Sequence, residues 1–447
     1  MNISGKTPLM QAKNLEKIFD VGEIYLKLEG ANPSHHKYDR IAEVMVKDCL
    51  IKGKKELLAD GALDYITAVL CYAQKADVKV RIPVFKGEHW KETSFTGGEL
   101  IHFNVKESGK AVSLEEYALK NGLYNASNGY HNRNLSVISL QKIGEEIVDR
   151  LGEDISTVFT QLSYGYTVSA LHNGFMDRWV TGDLKIMPKI YSCTIPKGNY
   201  IFDDYRKTHS LPDLENYKIK VNKYTRDLFT GDSFLLEETL HAIGDTNGNL
   251  LSVDEALLKE SVQLLKKQEN LILSTEEGYA FAGFYKMAKA GELSKGRHVI
   301  VLNDGRSDLA MERITDFSTY SKEELASYIE EWLQDYKDPI IETMNAIEHA
   351  IVDGFILLAL RNGIPQGICL VVNTGFEHFI PTYHLGYIAT KEGNKGRGIA
   401  TTLISEMLDL SEGNLSLHVD IKNKRARNLY EKLGFKAKYY RMIHPPY

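Results

Sequence analysis

The sequence predicts an α/β protein of two domains, the first built on parallel sheets over residues 1–316 and the second a mixed-sheet α+β domain over residues 320–447. Three observations predict it. Up to about residue 315, short apolar β-rich runs ("EIYLKL", "VKVRIPVF", "STVFTQL", "HVIVLN") alternate with segments of helical period, as βα units around a parallel sheet do. Between 315 and 325 the pattern changes, and amphipathic "LASYIEEWLQDY" leads through a second helical stretch into "FILLALRNG" and "PQGICLVV", a hairpin joined at "RNG". After it come a strand "YHLGYIAT", a glycine-rich turn, a helix, a strand "LSLHVDI" and a last helix ending at "KLGF".

Among the helices of the first domain, "SVDEALLKESVQLLKKQEN" is the clearest: apolar residues recur every three to four positions, and Ser252 and Glu255 have the spacing of a capping box. The 447 residues, 43% hydrophobic and 26% charged, have the composition of a soluble globular chain. A formal charge of −6 gives no general attraction to nucleic acid or to an anionic membrane, so neither is an expected partner. No stretch approaches a membrane span and the N-terminus does not read as a secretion signal. Cys49, Cys71, Cys193 and Cys369 lie far apart with no CxxC spacing, which suits a reduced, cytoplasmic setting and argues against structural zinc.

The segment "LGYIATKEGNKGRGIATTLISEML" runs a strand through glycines and cations directly into an amphipathic helix. Backbone N–H groups of Gly396, Arg397, Gly398, Ile399 and Ala400 at such a helix start would form a nest for a pyrophosphate, with Lys395 and Arg397 adding positive charge. A glycine turn alone is a weak signal. Together with the later "DIKNKRARNLYEKLGF", however, it makes residues 320–447 resemble the GNAT acetyltransferase superfamily. Residues 395 to 400 match the family's [QR]-x-x-G-x-[GA] loop except for Lys395 at the first position. Asn423, Ala426, Tyr430, Gly434 and Phe435 fit its second motif.

The resemblance implies acetyl-CoA as a substrate, bound along Ile388, Thr390 and residues 395–400, with Asn423 on its pantetheine arm. It places Tyr430 near the sulfur as proton donor to the thiolate, a task suited to a phenol of pKa near 10. The family's base is often a Glu on the preceding strand; that place, six residues before Thr390, is His384, and Glu377, His378 and Asp420 remain alternatives.

The first domain, from "GKTPL" through "YLKLEGANPSHHKYDR" to "HVIVLNDGRSD", resembles the fold-type II pyridoxal-phosphate enzymes, the tryptophan synthase β-like group with threonine and cysteine synthases. Asn32, Pro33, Asp39 and Arg40 fit the family's "NPTGSFKDR", but its imine lysine falls on Tyr38, with Lys37 one residue early. A phenol forms no imine, and a neighbouring residue is expected to face elsewhere. The phosphate loop reads Ser163-Tyr164-Gly165-Tyr166-Thr167 and the substrate turn Gly61-Ala62-Leu63-Asp64, both altered from the family patterns "GnGGT" and "SxGN". These three changes predict a degenerate domain without covalent pyridoxal phosphate. The adjacent His35 and His36 are expected to line the old cleft and hold no metal.

The expected function is acetyl transfer from acetyl-CoA to an amine, with the first domain as scaffold or acceptor-recognition module. The alternatives are a bifunctional enzyme whose Lys37 carries pyridoxal phosphate and an acetyl-CoA-sensing regulatory protein. The expected partners are a small-molecule amine or amino acid and, for the chain itself, a second copy in a homodimer.

Overall fold

A computed structural model describes residues 4–438 apart from 86–87, 89–90, 92–93, 96, 103–109, 128–131, 210–220, 337, 362, 377–379 and 395–398. The chain forms two compact units, Met1–Ser307 and Asp308–Tyr447. The division falls earlier than the expected boundary because the strand Leu309–Ile314 pairs antiparallel with Phe355–Arg361 and so belongs to the second unit.

The first unit holds a six-stranded sheet in the spatial order Leu9–Gln11, Gly22–Leu28, Gly296–Leu302, Thr157–Gln161, Lys189–Thr194 and Asn249–Ser252. Its pairings are parallel except at the first edge strand. All five residues of Thr157–Gln161 are buried, as expected of a parallel strand covered on both faces. Val158 joins Ile190, Val299 and Val301 in one core, and Phe159 joins Cys193, Ile300 and Leu302 in the other. The alternation of strand side chains thus divides the core between the two faces. A second, four-stranded parallel sheet runs in the order Glu99–His102, Lys79–Val84, Glu56–Leu58, Tyr124–Asn125.

The helix Glu255–Glu269 is capped by Asp254, which accepts from Leu257 N at 2.8 Å, and not by Ser252 as the spacing suggested. Ser252 is held in the preceding strand opposite Thr194. A capping box does form at Ser321 and Glu324, opening the helix Lys322–Leu333.

The second unit has one mixed sheet in the order Leu309–Ile314, Phe355–Arg361, Ile364–Asn373, Tyr383–Thr390, Leu415–Leu417; only the last pair is parallel. Helices Lys322–Leu333 and Ile340–Asp353 pack on the core around Ile356, Leu358 and Ile368. Helices Ile399–Leu410 and Lys424–Lys432 pack on the other, around Leu357, Cys369 and Leu385. The four cysteines are free thiols. Among the described residues no helix is long and apolar enough to cross a membrane.

Candidate functional site

In the second unit, the strands Tyr383–Thr390 and Leu415–Leu417 pair only through Tyr383, His384 and Leu385 and then separate. The register slips at the same level: Leu370 faces Tyr387 and Val371 faces Leu385, which leaves Gly386 as a bulge. From Gly386 to Thr390 the strand therefore turns one row of backbone groups toward an opening in the sheet, with Ile388 and Thr390 half-buried beside it. The helix Ile399–Leu410 starts close above the sheet, because a Cβ on Gly367 would lie 2.6 Å from Ile399 Cγ2. Ile399 is a buried core residue and Ala400 is half-buried, so what they can offer an anion is their backbone. Lys395, Gly396, Arg397 and Gly398 lie outside the described residues, as do Glu377 and His378.

Tyr430 is buried in the core that includes Leu385 and Ile399, its ring edge-on to Phe435 at 5.7 Å. Burial, with a smaller effect of the Cys369 thiol, pushes its phenol up to about 12. The hydroxyl is thus protonated at neutral pH and able to donate. His384 Nδ1 lies 2.9 Å from Ser416 Oγ, and Ser416 Oγ donates to the Tyr383 carbonyl at 3.2 Å. A hydroxyl has one proton; since Ser416 gives it to a carbonyl, it accepts from His384 Nδ1–H, and the neutral ring carries its lone pair on Nε2. The His418 ring lies 4.5 Å away, tilted by 56°. Ser416 and His418 were invisible as site residues in the sequence because their strand carries no motif.

Asn423 caps the last helix, its side chain accepting from Ala426 N at 3.0 Å, so a turn-stabilising role accompanies any contact with a ligand. Asp420 is exposed, with its carboxylate taken up by Lys422 N at 2.7 Å, which makes it a turn residue. Among the described residues no hydrogen bond joins His384 to Tyr430.

In the first unit, the loop after Gly22–Leu28 is laced by main-chain bonds to the loop after Gly296–Leu302: Gly30 N to Gly305 O and Lys37 N to Asn303 O, both 2.9 Å. Gly30 has to be glycine there, since a Cβ would fall 2.0 Å from the Asp304 carbonyl oxygen. Arg40 binds Glu29 at 2.7 Å and Glu146 at 2.7 Å, and Lys27 binds Glu146 at 2.6 Å. The buried pairing with Arg40 overrides desolvation and holds the Glu29 carboxyl down at about 2. Asp39 binds Ser34 N at 3.0 Å. The motif's Asn32, Asp39 and Arg40 are therefore framework.

Lys37 does not face elsewhere, as its offset had suggested. It sits at the helix cap with helical dihedrals (φ −57°, ψ −22°), and its long stem carries Nζ into the cleft, 3.0 Å from Thr167 Oγ1. Burial lowers its amine to about 8, against the opposing pull of Glu277 and Glu29. Tyr38 lines the same cleft, stacked on His36 at 4.3 Å. His35 and His36 diverge: His35 Nδ1 lies 3.2 Å from the Gly30 carbonyl, and His36 faces Glu277. The cleft is narrow, with room for about one water-sized group, and its walls include Asp64, Asp227 and Glu277. These carboxylates come from separate parts of the chain; of them only Asp64 stood in a recognisable motif.

The lining has features on both sides of the question of pyridoxal phosphate. The phosphate loop opens the helix Tyr166–Thr181, and its Thr167 hydroxyl accepts from the amine of Lys37 at 3.0 Å, a cation that suits a phosphate. Three carboxylates line a cavity that would have to accept an anionic phosphate and ring oxygen.

Comparison with known proteins places both units. Residues 2–305 match the model of the pyridoxal-phosphate dependent enzyme family, and residues 318–435 that of the acetyltransferase (GNAT) family. A threonine synthase of Methanocaldococcus jannaschii is 22% identical over 308 residues, covering 67% of this chain and 74% of that one. Among solved structures, the processed form of threonine deaminase isoform 2 from Solanum lycopersicum aligns with a TM-score of 0.53 at 15% identity, over 67% of this chain and 79% of its own. A fungal L-serine ammonia-lyase from Rhizomucor miehei aligns at 0.52 and 18%, over 69% and 96%. At these identities the structural likeness concerns the fold. The match over two thirds of its length makes the chain a member of the pyridoxal-phosphate dependent enzyme family, with a GNAT acetyltransferase domain following in the same polypeptide.

Proposed function

We propose that this protein transfers the acetyl group of acetyl-CoA to an amine, with the chemistry in the C-terminal domain and the N-terminal domain as scaffold or acceptor-recognition module. The observation that carries the reading is the end of pairing between Tyr383–Thr390 and Leu415–Leu417 after Leu385, with a glycine-rich sequence and the start of the helix Ile399–Leu410 following. A strand with unpaired backbone groups suits an extended, amide-bearing arm, and the helix start suits a pyrophosphate. In this scheme the amine nitrogen bonds to the acyl carbon and the C–S bond breaks. His384 Nε2 takes the amine's proton, and Tyr430 supplies one to the leaving thiolate. Screening primary amines, amino acids and peptides for CoA release tests the proposal; acetyl-CoA bound but transferred to none of them would favour a sensing role instead.

His384→Gln should remove the alkaline-rising limb of the pH profile of turnover, since glutamine accepts no proton in this range. A limb that persists with its midpoint unmoved would assign the base to another group or to water.

The position of Lys37 Nζ inside the cleft, together with the family match of residues 2–305, favours a second, pyridoxal-phosphate chemistry. The carboxylates around it oppose this, and we read the N-terminal domain as having lost it. Protein mixed with pyridoxal phosphate and desalted should stay colourless. Borohydride reduction followed by peptide mapping would overturn that reading if Lys37 carried one pyridoxyl group per chain.

A further inference from the structure

The innermost wall of the N-terminal cleft contains two carboxamides, Gln161 and Asn303, each more than nine-tenths buried. Both donate through nitrogen to Glu277 Oε2, at 3.1 and 2.6 Å. An ionised carboxylate only accepts, so this contact fixes the orientation of both amides and turns Gln161 Oε1 and Asn303 Oδ1 away from it. Neither oxygen has a hydrogen-bond partner, although both are buried. Two orphan acceptors in one pocket call for a donor, because a buried carbonyl oxygen left unsatisfied costs roughly 1–3 kcal/mol.

The charge of the cleft has the matching sign. Asp64 and Asp227 stand at its mouth within reach of water, with Glu277 behind them and the Tyr38 ring as a π face. Lys37, a cation on the same wall, donates to Thr167 at 3.0 Å. A metal ion is a poorer occupant than an ammonium. His36 Nδ1 accepts from Tyr38 N at 3.2 Å, so the neutral ring bears its proton on Nε2, the atom nearest Glu277, and that nitrogen has no lone pair for a metal.

We propose that this cleft binds a small primary ammonium ion, its N–H groups on Gln161 Oε1 and Asn303 Oδ1 and its charge facing Asp64 and Asp227. The proposal is independent of the acetyl-transfer reading, since every residue in it belongs to the first unit. The pocket has room for about one water-sized group, the size of an ammonium head, so the alkyl chain of a primary amine would extend past the exposed Asp64 and Asp227.

The test is calorimetric titration of the full-length protein with butylamine, tetramethylammonium, 4-aminobutyrate and Ca²⁺. Butylamine should bind at one site per chain. Tetramethylammonium, with the same charge and no N–H, and 4-aminobutyrate, whose carboxylate meets the acidic mouth, should bind more weakly. Asp64→Asn, at the exposed mouth, and Gln161→Met should each weaken butylamine about tenfold, the loss expected for one hydrogen bond to a charged group. The idea fails if butylamine shows no saturable binding, if tetramethylammonium or 4-aminobutyrate binds as tightly, if Ca²⁺ binds more tightly, or if Asp64→Asn leaves the affinity unchanged.

Discussion

Tyr430→Phe should reduce turnover by about 100-fold or more while leaving acetyl-CoA affinity nearly as it was. Phenylalanine keeps the ring in the core with Leu385 and Ile399 and the edge contact to Phe435, so the fold loses only a hydroxyl. That hydroxyl is pushed up to about 12 by burial and the Cys369 thiol, and so keeps its proton until a strong base forms beside it. A departing thiolate is such a base. Loss of an interaction made in the transition state appears in turnover and not in ground-state binding. The measurement is steady-state kinetics with the best acceptor beside calorimetry with acetyl-CoA; unchanged turnover would reduce Tyr430 to a packing residue.

The largest effect on stability should come from Arg40→Met, at about 3–5 kcal/mol, because it strips the partner from a buried carboxylate. Arg40 and Glu29 are 3% and 0% exposed, and Glu146, the second partner of Arg40, would keep Lys27 and the Lys6 backbone N–H. The same pair sets the response to acid. Since Glu29 is held at about 2 instead of its ordinary 4.5, its contribution is complete above pH 4.5 and is lost as pH falls toward 2. Urea unfolding of the wild type should show that decline, and in Arg40→Met it should be largely missing. Equal acid sensitivity of the two proteins would place the loss on other carboxylates.

The parallel strands were legible from short β-branched and apolar runs between helical segments, such as Val299 to Leu302, while Thr157–Gln161 is buried throughout although Thr157, Thr160 and Gln161 are polar. The helices Ile399–Leu410 and Lys424–Lys432 were legible because each stands in a motif of restricted residue type over a short span. Lys37 was misjudged because alternation rules describe where a Cβ points, and a four-carbon stem at a helix cap can bring its amine back. The strand Leu309–Ile314 was assigned to the wrong unit because "LAMERI" has no pattern that says which sheet it will join. The amide orientations of Gln161 and Asn303 follow from Glu277, which is distant in sequence; only tertiary structure brings them together.

The lacing of Gly30 N to Gly305 O and Lys37 N to Asn303 O has a wider meaning. Both bonds are made by backbone, so neither depends on which side chains stand at His36, Lys37 and Tyr38. The loop works as a socket into which different reactive groups can be fitted without rebuilding its walls. Substitutions at these three positions would leave both bonds in place, so the reactive group and the frame that carries it are separable parts of the site.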